Sequence, residues 1–455
     1  PPPNFRPAGA TKNQRSRWRG ALIHDIPLMR SLDPHHARLG YLGVCAAAGV
    51  RTLDTYDALV SRMKDVLFER FYTDEPAFQE VIDGADPAAR AELLARSRRS
   101  TEEDPSAILN PPDSGVDWLT RSEGWLYDRH MPSHVGFLQE RHLGRAVDLA
   151  RWTGVLLPTL DLSEDGALLQ FLVSAGAEQS WRNRNLLRVQ ARPALVLHYL
   201  KLLLRAEVLF PALLTEFAER EARGDAIATR GPRGLLRHSV QRLSKAIGEP
   251  TDPADVLPYR ALVDFAESVT KTSSTEENYL RPRLEILVDL GLVARRGGST
   301  GEKAGAFTWS VSPVGRAVAQ AWEWLSKHPL KVDEYLDKDF IQTCAPLVTT
   351  SSLRIASDQE ILSWFAHAFR ELHRDIGFTP GRTVAQLASL LAAEIGVRVE
   401  IDHVFRVVYA SAQSQYGPFL KFSGGSRFDN EFLIRVEPEI SSLLPPVPPS
   451  GAQTQ

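Results

Sequence analysis

Three histidines have a spacing that could carry metal chemistry. His130, His134 and His142 could in principle ligate one ion, because two of them lie four residues apart. However, Pro132 lies between the first two, and no cysteine or carboxylate completes a zinc site. The sequence therefore predicts no metal centre in this segment.

A second candidate for chemistry is the group Glu400, Asp402 and Arg406, which is only loosely similar to a nuclease carboxylate cluster. No strand-borne aspartate followed by Glu-x-Lys is present, and Asp402 is better explained as a helix cap. The sequence also has no Gly-Lys-Ser phosphate loop, no Gly-x-Ser-x-Gly elbow and no dinucleotide fingerprint. We therefore expect a non-enzymatic protein with no cofactor and no small-molecule substrate.

Length and composition predict a multidomain globular protein in a reducing compartment. A chain of 455 residues is too long for one core, and 43% hydrophobic with 24% charged residues is ordinary for soluble domains. Cys45 and Cys344 both lie in apolar surroundings, which favours a cytoplasmic location. The longest apolar run, 194–214, contains charged side chains that would each cost about 2.5 kcal/mol at mid-bilayer. We interpret it as buried helix and expect no membrane partner.

The charge distribution predicts that any contact with nucleic acid is local. The net charge is −3, yet the first 20 residues carry +5 and no acid, so the remaining 435 residues sum to −8. A dedicated nucleic-acid module is usually basic overall. Residues 1–33 form a basic arm that could reach DNA or remain solvated. Its candidate DNA contacts are Lys12, Arg15, Arg17 and Arg19.

One pattern of residues occurs twice. Residues 278–290 have the periodicity of a helix and are followed by Gly291, a short apolar strand and a Gly-rich tip. The chain returns through 307–311 and starts a new helix at Ser312. Earlier, a helix ends before Gly154, and a new one starts at Ser163.

This order of helix, glycine turn, strand, hairpin and Ser-capped helix resembles winged helix-turn-helix proteins. The resemblance covers about 256–328 and, more weakly, 133–175 and 358–437. It implies a mainly α fold with small β-hairpin wings, in which tandem winged-helix modules are joined by helical segments. No narrower family follows from these motifs.

The resemblance also implies where DNA would bind. In such proteins the third helix enters the major groove and the wing flanks the backbone. Pro282 would lie in the first turn of that helix, which shortens the groove-facing surface. The alternative is that the module packs on protein. The residues that the resemblance places on DNA are Tyr279, Arg281 and Arg283 on the helix, with Arg295, Arg296 and Lys303 on the wing.

A basic amphipathic helix lies within 226–248. Arg237, Gln241 and Lys245 recur at a spacing of four, opposite a stripe of apolar residues. Such a helix can lie along phosphates or an acidic partner, so Arg237 and Lys245 are further candidate contacts. The alternative is a solvated helix face packed on a helical core.

The expected organisation follows from these patterns and from Pro-rich boundaries. In the middle module we predict helices near 259–269, 278–290 and 313–326, with strands near 292–296 and 307–311. Further helices are predicted at 359–375, 383–394 and 402–415, and residues 185–222 should form a helix or helical hairpin broken near Pro193 and Pro211. The expected units are a basic arm (1–33), a helical domain with a winged-helix-like part (34–223), a basic helical connector (224–255), a winged-helix domain (256–330), a linker (331–357), a C-terminal winged-helix-like domain (358–440) and a disordered tail (441–455).

Three functions remain open at this point. The leading hypothesis is a bacterial DNA-binding protein that works with other protein subunits in a larger nucleoprotein complex, for example in antiphage or plasmid defence or in chromosome maintenance. The first alternative is a kleisin-like architectural subunit, a scaffold whose winged helices bind a partner such as an SMC-type ATPase. The second alternative is a transcriptional regulator.

Overall fold

The computed structural model describes residues 39–51, 55–67, 140–174, 192–224, 234–248, 264–265, 273–296, 308–349, 352–372, 378–423 and 432–447. These residues are mainly helical, and no helix among them is both long and apolar enough to cross a bilayer. The helices are α1 (Leu39–Ala48), α2 (Tyr56–Leu67), α3 (Glu140–Trp152), α4 (Glu164–Ser174), α5 (Pro193–Ala206), α6 (Leu209–Ala222), α7 (Leu235–Ile247), α8 (Ser273–Asp289), α9 (Pro313–Ala321), α10 (Glu323–Lys327), α11 (Val332–Lys338), α12 (Phe340–Val348), α13 (Asp358–Leu372), α14 (Gly381–Glu394) and α15 (Ile401–Ser411).

Short strands form three small sheets in the described residues. The first is an antiparallel pair, and the second is a parallel pair of two-residue strands. The third has three strands, of which the last in sequence lies between the other two. The strands are β1 (Val293–Arg296), β2 (Thr308–Val311), β3 (Arg354–Ile355), β4 (Thr379–Pro380), β5 (Val397–Arg398), β6 (Leu420–Ser423) and β7 (Leu433–Val436).

Helix α5 lies at the centre of the molecule and contacts α4, α6, α11, α12 and α14. Almost every residue of α5 is buried, including His198 and Lys201, which form a polar stripe on an otherwise apolar helix. Pro193 occupies its first turn, where the missing N–H costs no hydrogen bond. The chain breaks between α5 and α6 at Glu207, whose backbone is extended, and not at Pro211 as predicted. Pro211 lies in the first turn of α6 and is tolerated there for the same reason.

The buried hydrophobic residues form one continuous cluster from Leu39 to Leu444. Residues 331–357, expected as a linker, contain α11, α12 and β3, and Phe340, Ile341 and Cys344 are buried. These apolar side chains are part of the hydrophobic core, so the segment packs as part of the fold and is not a linker. Part of the expected disordered tail, up to residue 447, is also folded.

The first of the repeated turns follows α3. Gly154 has a φ of +77°, a left-handed conformation that glycine adopts without strain. The N–H of Val155 donates to the Ala150 carbonyl over 2.8 Å, and the N–H of Ser163 donates to the Val155 carbonyl over 3.1 Å. The Ser163 hydroxyl accepts from the N–H of Gly166 over 2.9 Å and caps α4. A Cβ on Gly166 would lie 2.1 Å from the Val155 oxygen, so only glycine fits.

The second turn, after α8, repeats these contacts one for one. Gly291 has a φ of +76°, and the N–H of Leu292 donates to the Leu287 carbonyl over 2.9 Å. Ser312 donates its N–H to the Leu292 carbonyl over 2.9 Å and accepts from the N–H of Gly315 over 2.9 Å. A Cβ on Gly315 would lie 1.9 Å from the Leu292 oxygen. The twofold sequence pattern is therefore a twofold hydrogen-bonded structure.

The two copies differ in what they enclose. The second copy encloses the antiparallel hairpin β1–β2, close to the predicted strands. In the first copy the expected wing is a tight turn closed by a single bridge between Leu156 and Leu162. The predicted helix near 259–269 lies almost entirely outside the described residues.

Helix α8 departs from the prediction in one important respect. It begins at Ser273, five residues earlier than expected, so Pro282 lies in its middle and not in its first turn. The helix continues past Pro282 because the following residues are buried on all sides. The helix predicted at 313–326 is two helices, α9 and α10, which meet at Trp322. Five residues predicted to be buried are confirmed, with 0 to 1% exposure: Leu287, Leu290, Leu292, Val318 and Trp322.

The C-terminal helices α13, α14 and α15 agree with the predicted ones to within a few residues, and β6 and β7 form the predicted hairpin. The strand β4 was not predicted, because two residues are too few for a pattern. Asp402 is not the cap of α15 as expected. Glu400 holds the N-cap position, and Asp402 lies in the first turn.

Candidate nucleic-acid interface

The helix predicted to enter a DNA groove is largely buried over its C-terminal half, residues 280–289. In α8, Arg283 has no exposed surface, and Tyr279 and Arg281 are only half-buried. The ring of Tyr279 meets Phe265 edge-on, with a centroid distance of 5.9 Å. Glu285 and Asp289, which could have marked a polar face, are also buried. Arg283, which the resemblance places on DNA, is therefore not on the surface of this fold.

Arg283 is buried because it is paired with a carboxylate distant in sequence. Its guanidinium donates from Nε and Nη2 to Glu207, with the shortest distance 2.6 Å, and both side chains have zero exposure. Arg283 also lies over the Phe265 ring, 5.5 Å from its centroid. At the end of α8, Asp289 Oδ2 accepts from the N–H of Leu39 over 3.0 Å. These contacts join α8 to the rest of the core.

The remaining predicted DNA contacts on the wing are described only in part. Arg295 and Arg296 are in β1, paired with Trp309 and Thr308, respectively. The structure describes the backbone of both arginines but not their side chains. Residues outside the described part of the chain are Lys303, Lys12, Arg15, Arg17 and Arg19, together with His130 and His134. The backbone of His142 lies in α3, but its side chain is not described.

Helix α7 presents the basic face that its sequence predicts. Leu236, Val240 and Leu243 are buried, while Arg237 and Lys245 are exposed. This alternation follows from the helical repeat, because residues four apart lie on one face. Both predicted contacts on this helix are therefore accessible.

A cluster of basic side chains that sequence reasoning missed lies beside α7. Glu216 on α6 accepts from Arg220 Nε over 3.0 Å and from Arg242 Nη2 over 3.2 Å. Arg223 Nη2 lies 3.9 Å and His238 Nδ1 3.5 Å from the same carboxylate. Burial alone would raise the pKa of Glu216, but the hydrogen bonds from Arg220 and Arg242 lower it below the usual value. Glu216 is therefore a carboxylate shared by three arginines, Arg220, Arg223 and Arg242.

These residues form one surface in which cations outnumber carboxylates. The side chains of Arg223 and His238 are 58% and 52% exposed. Glu219 binds Arg242. Arg220 and Arg223 end α6 just before the basic segment, so extending that segment by six residues would have revealed them. We call this the α6–α7 basic surface; it comprises Arg220, Arg223, Arg237, His238, Arg242 and Lys245, with the carboxylates Glu216 and Glu219.

The C-terminal unit offers a less basic surface. Arg406 and Gln413 are exposed on and just after α15. Lys421 and Arg435 lie opposite each other in the β6–β7 hairpin, and both bind Glu437. Their charges are therefore partly neutralised.

A buried ionic network around Asp165 could suggest catalysis. Asp165 accepts from Lys201 Nζ and Arg205 Nη1, both over 2.8 Å, and its backbone carbonyl lies 3.0 Å from His198 Nε2. Burial would raise the pKa of Asp165, but the two cations hold it well below its usual range. Burial lowers the pKa of Lys201 to about 7 and that of His198 to about 4. Lys201 and Arg205 of α5 both bind Asp165 of α4, so the network joins these two helices. We therefore interpret it as structural.

Within the described residues, no three His, Cys, Asp or Glu side chains are grouped so as to hold a metal ion. Cys45 and Cys344 are free and buried, and burial raises the pKa of both thiols. Both therefore behave as small apolar side chains. No protein-family model, curated protein or solved structure matches this chain.

Proposed function

We propose that this chain is a non-enzymatic DNA-binding component of a larger nucleoprotein complex, and that it contacts DNA phosphates through the α6–α7 basic surface. The observation that carries the proposal is the exposed pair Arg237 and Lys245 on α7, beside the arginines around Glu216. Arginine and lysine side chains along a helix neutralise phosphates without reading bases. Binding is then sequence-tolerant.

In this proposal the winged-helix modules support the core and do not insert a helix into a DNA groove. The C-terminal order of three helices and a hairpin, with sheet order β4-β7-β6, supports a winged helix at 358–436. The elements from α8 to α9 support another. In the middle module the third helix stabilises the core, because Arg283 and Glu285 are fully buried. The DNA contact therefore lies beside this module and not on its third helix.

The experiment measures the affinity of the full chain for labelled duplexes of two unrelated sequences over a salt series. We expect similar affinities for both duplexes. The double variant Arg237→Gln, Lys245→Gln should reduce the slope of log affinity against log salt by roughly 1.8, since each lost phosphate contact removes about 0.9. Its stability should change by less than about 0.5 kcal/mol per substitution, because both residues are exposed.

Arg406→Gln is the matched control, because it removes an equally exposed helical cation from α15. It should leave affinity and slope unchanged. Loss of binding in this control, with none in the α7 variant, would move the interface to the C-terminal unit. Unchanged affinity and slope in the α7 variant would refute the proposed surface.

An architectural role is the second candidate, favoured by the burial of α8. A module whose third helix is tied to Glu207 and to Leu39 acts as part of a scaffold. In that case the chain binds a protein partner, such as an ATPase subunit, and naked DNA binds weakly. Absence of duplex binding at low salt, together with co-purification of a stoichiometric partner from the native host, would favour this role.

A further inference from the structure

Glu400 is a buried carboxylate at the junction of two helices that are distant in sequence. It occupies the N-cap position of α15, and the residue is only 9% exposed. Its Oε1 accepts from the backbone N–H of Gln342, in the first turn of α12, over 3.2 Å. The same oxygen accepts from Arg398 Nε over 2.9 Å. The other oxygen, Oε2, is buried and has no hydrogen-bond partner among the described residues.

The charged and titratable groups around Glu400 only partly compensate its charge. Arg398 on β5 favours the ionised form, whereas Asp339 at the start of α12 opposes it. Burial is the largest influence, and together these raise the pKa of Glu400 from 4.5 to about 7. Cys344 on α12 is itself affected by the Glu400 charge.

The other titratable groups nearby are engaged with one another. On α11, Lys338 binds Glu334 and also interacts with Asp402. On α15, His403 Nε2 lies 3.2 Å from Asp358 of α13. Tyr335 of α11 contacts Cys344, with its hydroxyl 3.5 Å from the sulfur. Glu400 is thus the carboxylate of this junction that has an unsatisfied buried oxygen.

We propose that Glu400 is a proton-sensitive latch, which fastens the start of α15 to the first turn of α12 when neutral and weakens that contact when ionised. An ionised carboxylate with one unbonded buried oxygen carries a desolvation penalty that the neutral acid avoids. A neutral Glu400 still accepts from Gln342 through its carbonyl oxygen. The latch therefore controls how firmly α15, with its exposed Arg406, is held against the core.

The direction of the pH effect follows from the raised pKa. We call the state in which Glu400 contacts Gln342 closed, and the state in which this contact is broken open. The closed state holds a proton that the open state releases. The stability of the contact is therefore present below pH 4.5 and is lost as the pH rises through about 7. With a pKa of about 7 in the closed state and 4.5 in the open state, opening should increase about tenfold between pH 6 and pH 8.

Hydrogen exchange measured by mass spectrometry on the full chain tests the latch. Peptides covering 340–348 and 401–411 are compared at pH 6 and pH 8 after correction for intrinsic exchange. In the native protein, protection should fall about tenfold at the higher pH. Glu400→Gln should keep the same protection at both values, because its side chain stays neutral. Glu371→Gln, which changes an exposed glutamate near the end of α13, is the matched control and should behave like the native protein.

Two results would overturn the latch: no pH-dependent protection in the native protein, or the same dependence in Glu400→Gln. If Glu400→Gln does not fold, Arg398→Gln provides an independent test. It removes the cation that favours ionised Glu400, so the midpoint of opening should move to higher pH. An unchanged midpoint in that variant would also reject the proposal.

Discussion

Replacing Arg283 by alanine separates a structural role from a DNA-binding role for α8. The sequence places Arg283 on a DNA groove, whereas the structure buries it completely against Glu207. A surface arginine can be removed with little effect on folding. A buried one leaves its partner behind as an uncompensated charge.

The expected loss of stability can be worked out from this geometry. Breaking a buried ion pair by removing one partner costs about 3–5 kcal/mol, because the remaining charge stays in the core. Arg283 also loses its position 5.5 Å above the Phe265 ring, a contact worth about 1–2 kcal/mol when desolvated. We therefore expect Arg283→Ala to reduce the free energy of unfolding by at least about 3 kcal/mol. The double variant Arg283→Met, Glu207→Leu should recover most of the loss, since it removes both charges.

Urea denaturation followed by tryptophan fluorescence measures these changes, and Arg237→Ala is the exposed control. DNA affinity is measured in parallel and expressed per folded molecule. Stability equal to that of the native protein in Arg283→Ala would refute the reasoning about burial. Reduced DNA affinity of the folded variant, with unchanged stability, would return α8 to the DNA surface.

Four further predictions concern the middle module. Gly315→Ala should prevent native folding, measured by circular dichroism, because the added Cβ would lie 1.9 Å from the Leu292 carbonyl oxygen. Ser312→Ala should reduce the free energy of unfolding by only about 1 kcal/mol, because it removes only the helix cap. Leu287→Ala should reduce the free energy of unfolding by about 2–5 kcal/mol in urea denaturation, since this side chain is fully buried. If the wing touches phosphate, Arg295→Ala with Arg296→Ala should lower the salt slope of duplex binding by roughly 1.8, equally for unrelated sequences; an unchanged slope removes the wing from the interface.

Local signals in the sequence predicted local structure well. The spacing of Gly291, Ser312 and Gly315 predicted a turn and a capped helix, because each residue acts on backbone groups only a few positions away. The amphipathic pattern of α7 likewise predicted which residues are buried and which, including Arg237, are exposed. Both features depend on chain geometry that is independent of the rest of the fold.

The role of α8 could not be predicted from its polar residues, because their partners are distant in sequence. Glu207 lies 76 positions before Arg283 in the sequence. Leu39, whose backbone N–H binds Asp289, lies 250 positions before Asp289. No local pattern reveals such pairs. A weaker signal was available: apolar residues occur on every side of 284–292, which is typical of a buried helix. The apolar pattern of 284–292 is therefore a better guide to the burial of α8 than its charged residues are.

The repeated turn also bears on how much the segment that it encloses can change in length. In both copies the hydrogen bond from the serine N–H to the residue after the glycine closes the loop at its base. The enclosed segment is 156–162 in one copy and 293–311 in the other, so the same base accommodates seven or nineteen residues. Closing the longer loop costs only about 1 kcal/mol more, because loop entropy grows with the logarithm of length. On this estimate, lengthening the enclosed segment should cost the fold little stability, so its length can change while the hydrogen-bonded base stays the same.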